Sequence, residues 1–596
     1  MANKAKRHTR NCHLALTLYK FGCARHSQGE SQEGCTILYK FHLVFCARLL
    51  NFAKIINNRV QMKININRWV IASVVTASCL IVGCGGKSNG NNDTSACDSS
   101  VDSVSVMTNQ EPIVFAYPDT IYESAKKIDF RVDTMLQNVD GTLLQLVDSY
   151  ADTPGVLTFR GTPSRTPHFI GKVNGEPSKI VVDWIFHTDV DTTKTDYGVW
   201  GGGTGWTGQP LMVEWSDEQL ATIRNKAAGY IKDSLKNREV IVGSLCGKIY
   251  FIDYVSGKAS RKSYDVGNPI KGTMSFDPSY NGNLYVGHGV PARQPFGALI
   301  VNLFDHSRVS TFGRDAKAWR GWGAYDSSPI AVGGFMFRPG ENGTLYKLFT
   351  TDKKVEIHST LRYKVNGASP GMEASMAVSR NYGYISDNHG NIIAVNLNTM
   401  RPVWHYRNHD DTDATIVVEE ENGIPMIYTG CEIDKQGESG FCYFIKLNGL
   451  NGDVLWEQKI AGKKAELGKT TEGGMFASPL IGSGDCEGLI FSNISPMEPG
   501  NWGNFIAFDK ATGEVKYRTP LKFYSWSSPV GLINEKEEMF IVTGDTYGNV
   551  YVIRGRDGKI LTTRQIGNNF ESSPIVIDNK IIVGSRGNEI FKLSIE

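Results

Sequence analysis

The sequence predicts an all-β fold, an eight-bladed β-propeller. Three observations predict it: a tandem repeat at the C-terminal end, eight repeat starts along the chain, and two complementary half-blades at the ends of the repeat region. The tandem copies are WSSPVGLINEKEEMFIVTGDTYGNVYVIRGRDGKIL, residues 526–561, and ESSPIVIDNKIIVGSRGNEIFKL, residues 571–593. Each runs small-residue triplet ending in proline, β-rich stretch, glycine turn, second β-rich stretch. That order reads as strand, loop, strand, tight turn, strand. A period of about 40–50 residues with several strands per unit is what a propeller blade requires. One unit cannot bury both faces of its small sheet, so copies must pack on one another.

Starts fall near Gly208, Thr273, Asp326, Glu373, Asp413, Phe476, Trp526 and Glu571. The glycine-turn half recurs from Gly243, Glu341, Asp387, Gly503, Gly544 and Gly584. Its glycine supplies the positive φ of a hairpin, and the alternating apolar residues after it face the neighbouring blade. Blades two and five match the repeat least. Blade one carries an insertion, residues 216–237, of helical composition with Ser216 placed as N-cap.

The stretch from Ile180 to Trp184 (IVVDW) matches MRPVW at 400–404 and GDVLW at 452–456, each of which ends a repeat as its outermost strand. So an outer strand with no blade stands at the N-terminal end of the repeats. The last repeat stops at its third strand, at Leu593. The two halves complement each other, and pairing them closes the ring without a free edge.

The N-terminal third is of another kind. Residues 1–61 are basic (+8), rich in Cys and His, and unrelated to the repeat, whereas the chain from residue 84 onward carries about −8. We read residues 1–61 as upstream sequence with Met62 the working start, a disordered extension being the alternative. Residues 62–83 read as an export signal: Lys63 and Arg68, then an apolar run from Trp69 to Leu80 that is short for a membrane span. Residues 84–115 are Gly-, Asn-, Ser- and Asp-rich and read as a flexible tether. Residues 116–157 show patchy helical spacing and are expected to form an appendage to the ring. A mildly acidic body offers no footprint for nucleic acid.

Two resemblances follow from these residues. Ile81-Val82-Gly83-Cys84 resembles the lipobox of bacterial lipoproteins, which implies a lipid on Cys84, a membrane anchored to the chain but not crossed by it, and a place in the cell envelope. Gly85 lacks the aspartate that retains enteric lipoproteins at the inner membrane, so the outer membrane is expected. The Phe159-Arg160-Gly161 lead-in and the repeats from Thr158 to Glu596 resemble the pyrroloquinoline-quinone-type repeat. That repeat is shared by quinoprotein alcohol dehydrogenases and by the B-subunit lipoproteins of outer-membrane assembly. It implies the fold and leaves the function open. One implied function is a non-catalytic platform for envelope protein or glycan partners, with no cofactor. The alternative is a quinone-dependent alcohol or sugar dehydrogenase using pyrroloquinoline quinone and calcium. The chain departs from those enzymes in having no Cys-Cys pair and no Cys-x-x-Cys-His haem segment.

The residue before the small-residue triplet is Asp326, Glu373, Asp413 or Glu571 in four repeats, and Phe476 or Trp526 in two others. Equivalent positions on inner strands lie at one height. The four carboxylates are therefore expected at one channel mouth, with Trp526 as a stacking wall, seating a cation or a polyhydroxy ligand. The competing expectation is that each acid bonds within its own blade or meets a basic loop residue such as Arg320. His405 and His409 lie in a loop-like stretch and read as ordinary polar residues. Trp200, Trp206, Trp319, Trp322 and Trp502 lie in Gly-rich loops, where they either stack on sugar rings, a third function, or pack locally. Cys431 and Cys442 flank a ten-residue loop between two strands and are expected to form a disulfide.

Overall fold

The computed structural model describes residues 116–596, except 145–148, 152, 168–169, 207, 352–353, 466–472 and 498–499. The export signal, Cys84, the tether and residues 1–61 lie outside the described residues. Eight antiparallel sheets follow in sequence order, spanning 211–265, 275–312, 330–365, 377–407, 417–463, 480–521, 530–565 and 575–595; we number them blades 1 to 8. Blade 4 is the plainest, with strands Ala377–Ser379, Tyr382–Ser386, Asn391–Asn396 and Arg401–Arg407 in spatial order. No helix among the described residues is long and apolar enough to cross a membrane.

Closure is as the half-blades require. Ile180–His187 pairs antiparallel with Glu589–Ile595 as the fourth strand of blade 8, with Phe186 opposite Ile590 and Val182 opposite Leu593. The insertion in blade 1 forms the short helix Asp217–Lys226 between strands Leu211–Glu214 and Arg238–Gly243. Ser216 and Gln219 make a reciprocal capping box at its start.

Two repeated contacts explain why the motif reads as it does. The hydroxyl residue of each triplet links blades. Ser328 N donates to Ser375 Oγ at 2.8 Å and Ser375 N to Thr415 Oγ1 at 3.1 Å. Farther round, Ser478 N donates to Ser528 Oγ at 3.0 Å and Ser528 N to Ser573 Oγ at 3.1 Å. These bonds satisfy amides that no ladder reaches at the inner edge. At the outer edge, the indoles of Trp184, Trp404 and Trp456 each donate to a turn carbonyl of the next blade, on Tyr254, Gly449 and Lys510. The turn glycine beneath each ring, Gly257, Gly452 or Gly513, has φ of +69° to +81° and an added Cβ would fall 2.5–2.7 Å from the indole. Here glycine is required twice over, by conformation and by space.

The segment before blade 1 is no appendage, which corrects the sequence expectation. Tyr117 docks on blade 4 through Asn381, and Ile128–Thr134 pairs with Val355–Val365 as a fifth strand of blade 3. The helical spacing of residues 136–147 yields no helix among the described residues; Leu143 is buried but Leu144 is 77 % exposed. The chain then turns inward and crosses the ring axis. Gly155–Val156 pairs with blade 1, and Leu157 O accepts from Phe276 N of blade 2. Pro163 O accepts from Val378 N of blade 4, and Ser164 O from Val418 N of blade 5. Arg160 donates to Pro479 O and Pro529 O of blades 6 and 7, and Arg165 to Ser328 O and Met376 O of blades 3 and 4. Residues 155–165 thus plug the channel.

Candidate functional site

In an antiparallel hairpin the start of the first strand lies beside the end of the second. In this ring that arithmetic brings two sets of residues to one mouth: those just before the inner strands and those just after the second strands. Asp326, Glu373 and Asp413 belong to the first set, Glu341 and Glu432 to the second, and Asp411 to the loop leading into blade 5. The carboxylate oxygens of Asp326, Glu341 and Glu373 lie within 4.8 Å of one another, and so do those of Asp411, Asp413 and Glu432. Glu373 is electrostatically coupled to both groups, through Asp326's neighbour Glu341 and through Asp411 and Asp413. The result is an arc of six carboxylates from blades 3, 4 and 5.

The arc is crowded. Asp326, Glu341, Asp413 and Glu432 are buried. Burial, then the Glu373 and Asp326 charges, hold the Glu341 carboxyl well above the usual range, with Lys271 pulling the other way. Burial, then Glu373 and Asp411, do the same to Asp413. Asp411 is pushed up to about 7 by burial, against the pull of Lys435. Lys271 bonds Asp326, and its ammonium is held above its ordinary range because Asp326, Glu373 and Glu341 outweigh its burial. Trp322 Nε1 donates to Glu341 Oε2 at 2.7 Å, and Arg320 reaches the Glu341 backbone carbonyl at 3.1 Å. Asp326 Oδ1, Glu341 Oε1, Asp411 Oδ1 and Asp413 Oδ1 are buried with no hydrogen-bond partner among the described residues.

Opposite the acids stands an aromatic wall. The Lys271 ammonium lies 5.8 Å from the Trp206 ring centroid; Trp206 meets Phe476 edge-on at 5.8 Å, and Phe476 lies 4.6 Å from Trp526. Trp206 precedes blade 1 and Phe476 precedes blade 6, so the contact reaches over the mouth. The indole nitrogens of Trp206 and Trp526 have no partner among the described residues.

Three of the four carboxylates expected at the mouth do converge there: Asp326, Glu373 and Asp413, with Trp526 on the facing wall. Glu571 does not. It accepts from Asn569 Nδ2 at 2.7 Å and from Arg586 Nη1 at 3.2 Å, which is the local pairing foreseen as the alternative. The Cys431–Cys442 bridge is absent: both are buried free thiols. Cys431 stands opposite Tyr443, whose amide donates to its sulfur at 3.3 Å, so the strand register is offset by one residue from Cys442. His405 hydrogen-bonds Asn391 and His409 meets Glu457. The loop tryptophans divide: Trp322 packs against Tyr197 and Phe296, whereas Trp502 is half exposed.

No protein-family profile matches the chain, and no curated protein matches it. Solved structures do. A europium-containing methanol dehydrogenase aligns over 75 % of this chain and 99 % of its own, with a TM-score of 0.52 and 12 % identity. The quinohemoprotein alcohol dehydrogenase ADHIIG from Pseudomonas putida HK5 aligns over 75 % and 81 %, with a TM-score of 0.50 and 12 % identity. BamB from Moraxella catarrhalis aligns over 61 % and 97 %, with a TM-score of 0.41 and 12 % identity. The fold is the eight-bladed quinoprotein-type propeller. At such identity the likeness concerns the fold alone.

The mouth gathers six carboxylates around a lysine paired with one of them, and the chain has no adjacent cysteines. The donor set fits a cation, for which oxygen-rich, partly neutralised carboxylate clusters are the usual seat.

Proposed function

We propose that this chain is a non-catalytic binding propeller, tethered through a lipid on Cys84 to the bacterial cell envelope, whose channel mouth seats a cation or a hydroxyl-rich glycan or protein group. The supporting observation is the mouth itself: six carboxylates from three blades face Trp206, Phe476 and Trp526 over a plugged channel. Buried like charges are costly, and a bound cation offsets that cost. An aromatic wall beside carboxylates also suits a sugar, whose hydroxyls donate to the acids while its apolar face stacks. Lipid attachment rests on the Ile81-Val82-Gly83-Cys84 sequence and the outer-membrane location on Gly85 after it.

Calorimetry tests this reading, with calcium and a glycan panel titrated into wild type and into the Glu373→Gln, Asp413→Asn double variant. Binding by the wild type that the double variant loses is the expected result. No binding by the wild type, or equal binding by both, ends the proposal. The quinone enzyme is distinguished by reconstituting the protein with pyrroloquinoline quinone and calcium: dye-linked oxidation of alcohols or sugars would establish it in place of the binding reading.

A further inference from the structure

A second cavity lies outside the ring mouth, where the N-terminal segment crosses blades 3 and 4. Its volume is about 680 Å³, within the range of small-molecule sites, roughly 300–1,000 Å³. Three cations line it from three separate parts of the chain: Lys127 from the 3₁₀ turn Glu123–Lys127, Arg407 from the outer strand of blade 4, and Lys435 from a loop of blade 5. His389 and His405 stand among them, and no lining residue is acidic.

Two of the three charges are not neutralised locally. Lys435 shares Asp410, Asp411 and Asp434 on the side toward the acid arc. Lys127 and Arg407 enter no ion pair among the described residues, and both are exposed to the cavity side of the solvent. The field they create reaches the imidazoles. His405 is pulled down to about 4 by burial, then by Arg407 and Lys127. His389 is lowered by burial, Asp387 resisting, with Lys435, Arg407 and Arg320 adding to the shift. Like charges gathered from unrelated elements repel one another unless an anion sits between them. The remaining lining is neutral: Ser124 and Asn366 offer hydrogen-bonding groups beside Val365 and Ala368, and the Asn391 amide is held by Asp387 and His405.

We infer that this cavity is a binding site for an oxyanion carried on a hydroxyl-bearing body, a sugar phosphate or a uronic acid. Arg407 and Lys127 hold the anion, Arg407 through its fork of donors. Ser124, Asn366 and the His389 imidazole meet hydroxyls, and the volume exceeds what a bare phosphate fills. The two anion-holding side chains, Arg407 and Lys127, are not among the residues of the acidic mouth; Lys435, paired with Asp411, stands between the two sites.

The test is calorimetry on the full-length protein with four probes: inorganic phosphate, glucose 6-phosphate, glucuronic acid and glucose. Glucose 6-phosphate or glucuronic acid should bind and glucose should not; which of the two binds tells phosphate from carboxylate. Arg407→Gln and Lys127→Gln should each weaken binding by about tenfold, and so should raised salt. Both side chains are exposed, so the variants are expected to melt as the wild type does, which is checked alongside. The inference is overturned if no anionic probe binds up to about 10 mM, a free energy near −3 kcal/mol. It is equally overturned if glucose or bare phosphate binds as well as the anionic sugars, or if both variants bind unchanged.

Discussion

Asp411, Glu341 and Asp413 share one predicament: their carboxyls are buried among other carboxyls, and each is held above its ordinary pKa. The sign of the consequence is fixed. A carboxyl whose folded pKa exceeds its unfolded value binds more protons in the folded state, so its stabilising contribution is full below the unfolded pKa, about 4, and is lost as pH rises through the folded pKa. For Asp411 that loss runs from about 4 up to about 7. The metal-free protein should therefore melt at a higher temperature at pH 5 than at pH 8, and Asp411→Asn should shrink the difference. A melting temperature that rises from pH 5 to pH 8 in the wild type would count against the buried arc. The thiols give a second prediction at this scale. Burial raises the Cys442 thiol well above its usual range, next to Cys431, so both should resist a thiol reagent in the folded protein and react only on unfolding. Rapid modification of the native protein would contradict that. The sequence made Asp326, Glu373 and Asp413 readable because the repeat puts them at equal heights. It hid Glu571, whose partners Asn569 and Arg586 are accidents of its own blade. Glu341 and Glu432 were overlooked although their signal was present: each follows a second strand that ends at the same mouth.

Among the elements, the plug departs most from what the repeats could foretell. A familiar Phe-Arg-Gly lead-in marked its place, but not that residues 155–165 would thread the axis. Its two arginines lie at φ of +57° and +58°, a region non-glycine residues seldom occupy and one that local sequence does not announce. Arg165 is fully buried and donates to Met376 O, Thr158 Oγ1, Phe159 O and Ser328 O. Burial lowers its pKa only to about 9, so it stays charged at neutral pH. Arg165→Met keeps most of the volume and removes every donor, stranding carbonyls from two blades. We expect urea unfolding to show a loss of about 3–5 kcal/mol, with Arg165→Lys only partly restoring it because the ammonium cannot reproduce the fork. A loss below about 1 kcal/mol would mean that the arginine is a spectator. The fifth strand of blade 3, Ile128–Thr134, was illegible for a related reason. An outer-edge strand needs little apolar patterning, and helical spacing farther on drew attention away from it. Gly141, packed under the His358 ring, marks how closely the backbone there lies against blade 3.

At the scale of the molecule, the ring was legible almost whole, because eight copies of one unit leave few ways to bury their faces. Its closure was legible from two incomplete blades, and the register of Ile180–His187 on Glu589–Ile595 bears that out. Deleting residues 158–187 removes the plug and the closing strand together and should abolish cooperative unfolding. A truncated protein that melts as sharply as the intact one would refute the closure. What the repeats could not convey is the charge of the interior, which depends on single side chains and not on the pattern that makes the fold. The central claim is that this interior seats a ligand at one mouth. It is tested most directly by a crystal structure of the protein grown at pH 8 with barium in place of calcium, then soaked with an oligosaccharide. The account predicts anomalous density held by Asp326, Glu341 and Glu373 or by Asp411, Asp413 and Glu432, or sugar density between these acids and Trp526. Carboxylates bonded only to protein and water at both groups, in every soak, would contradict it.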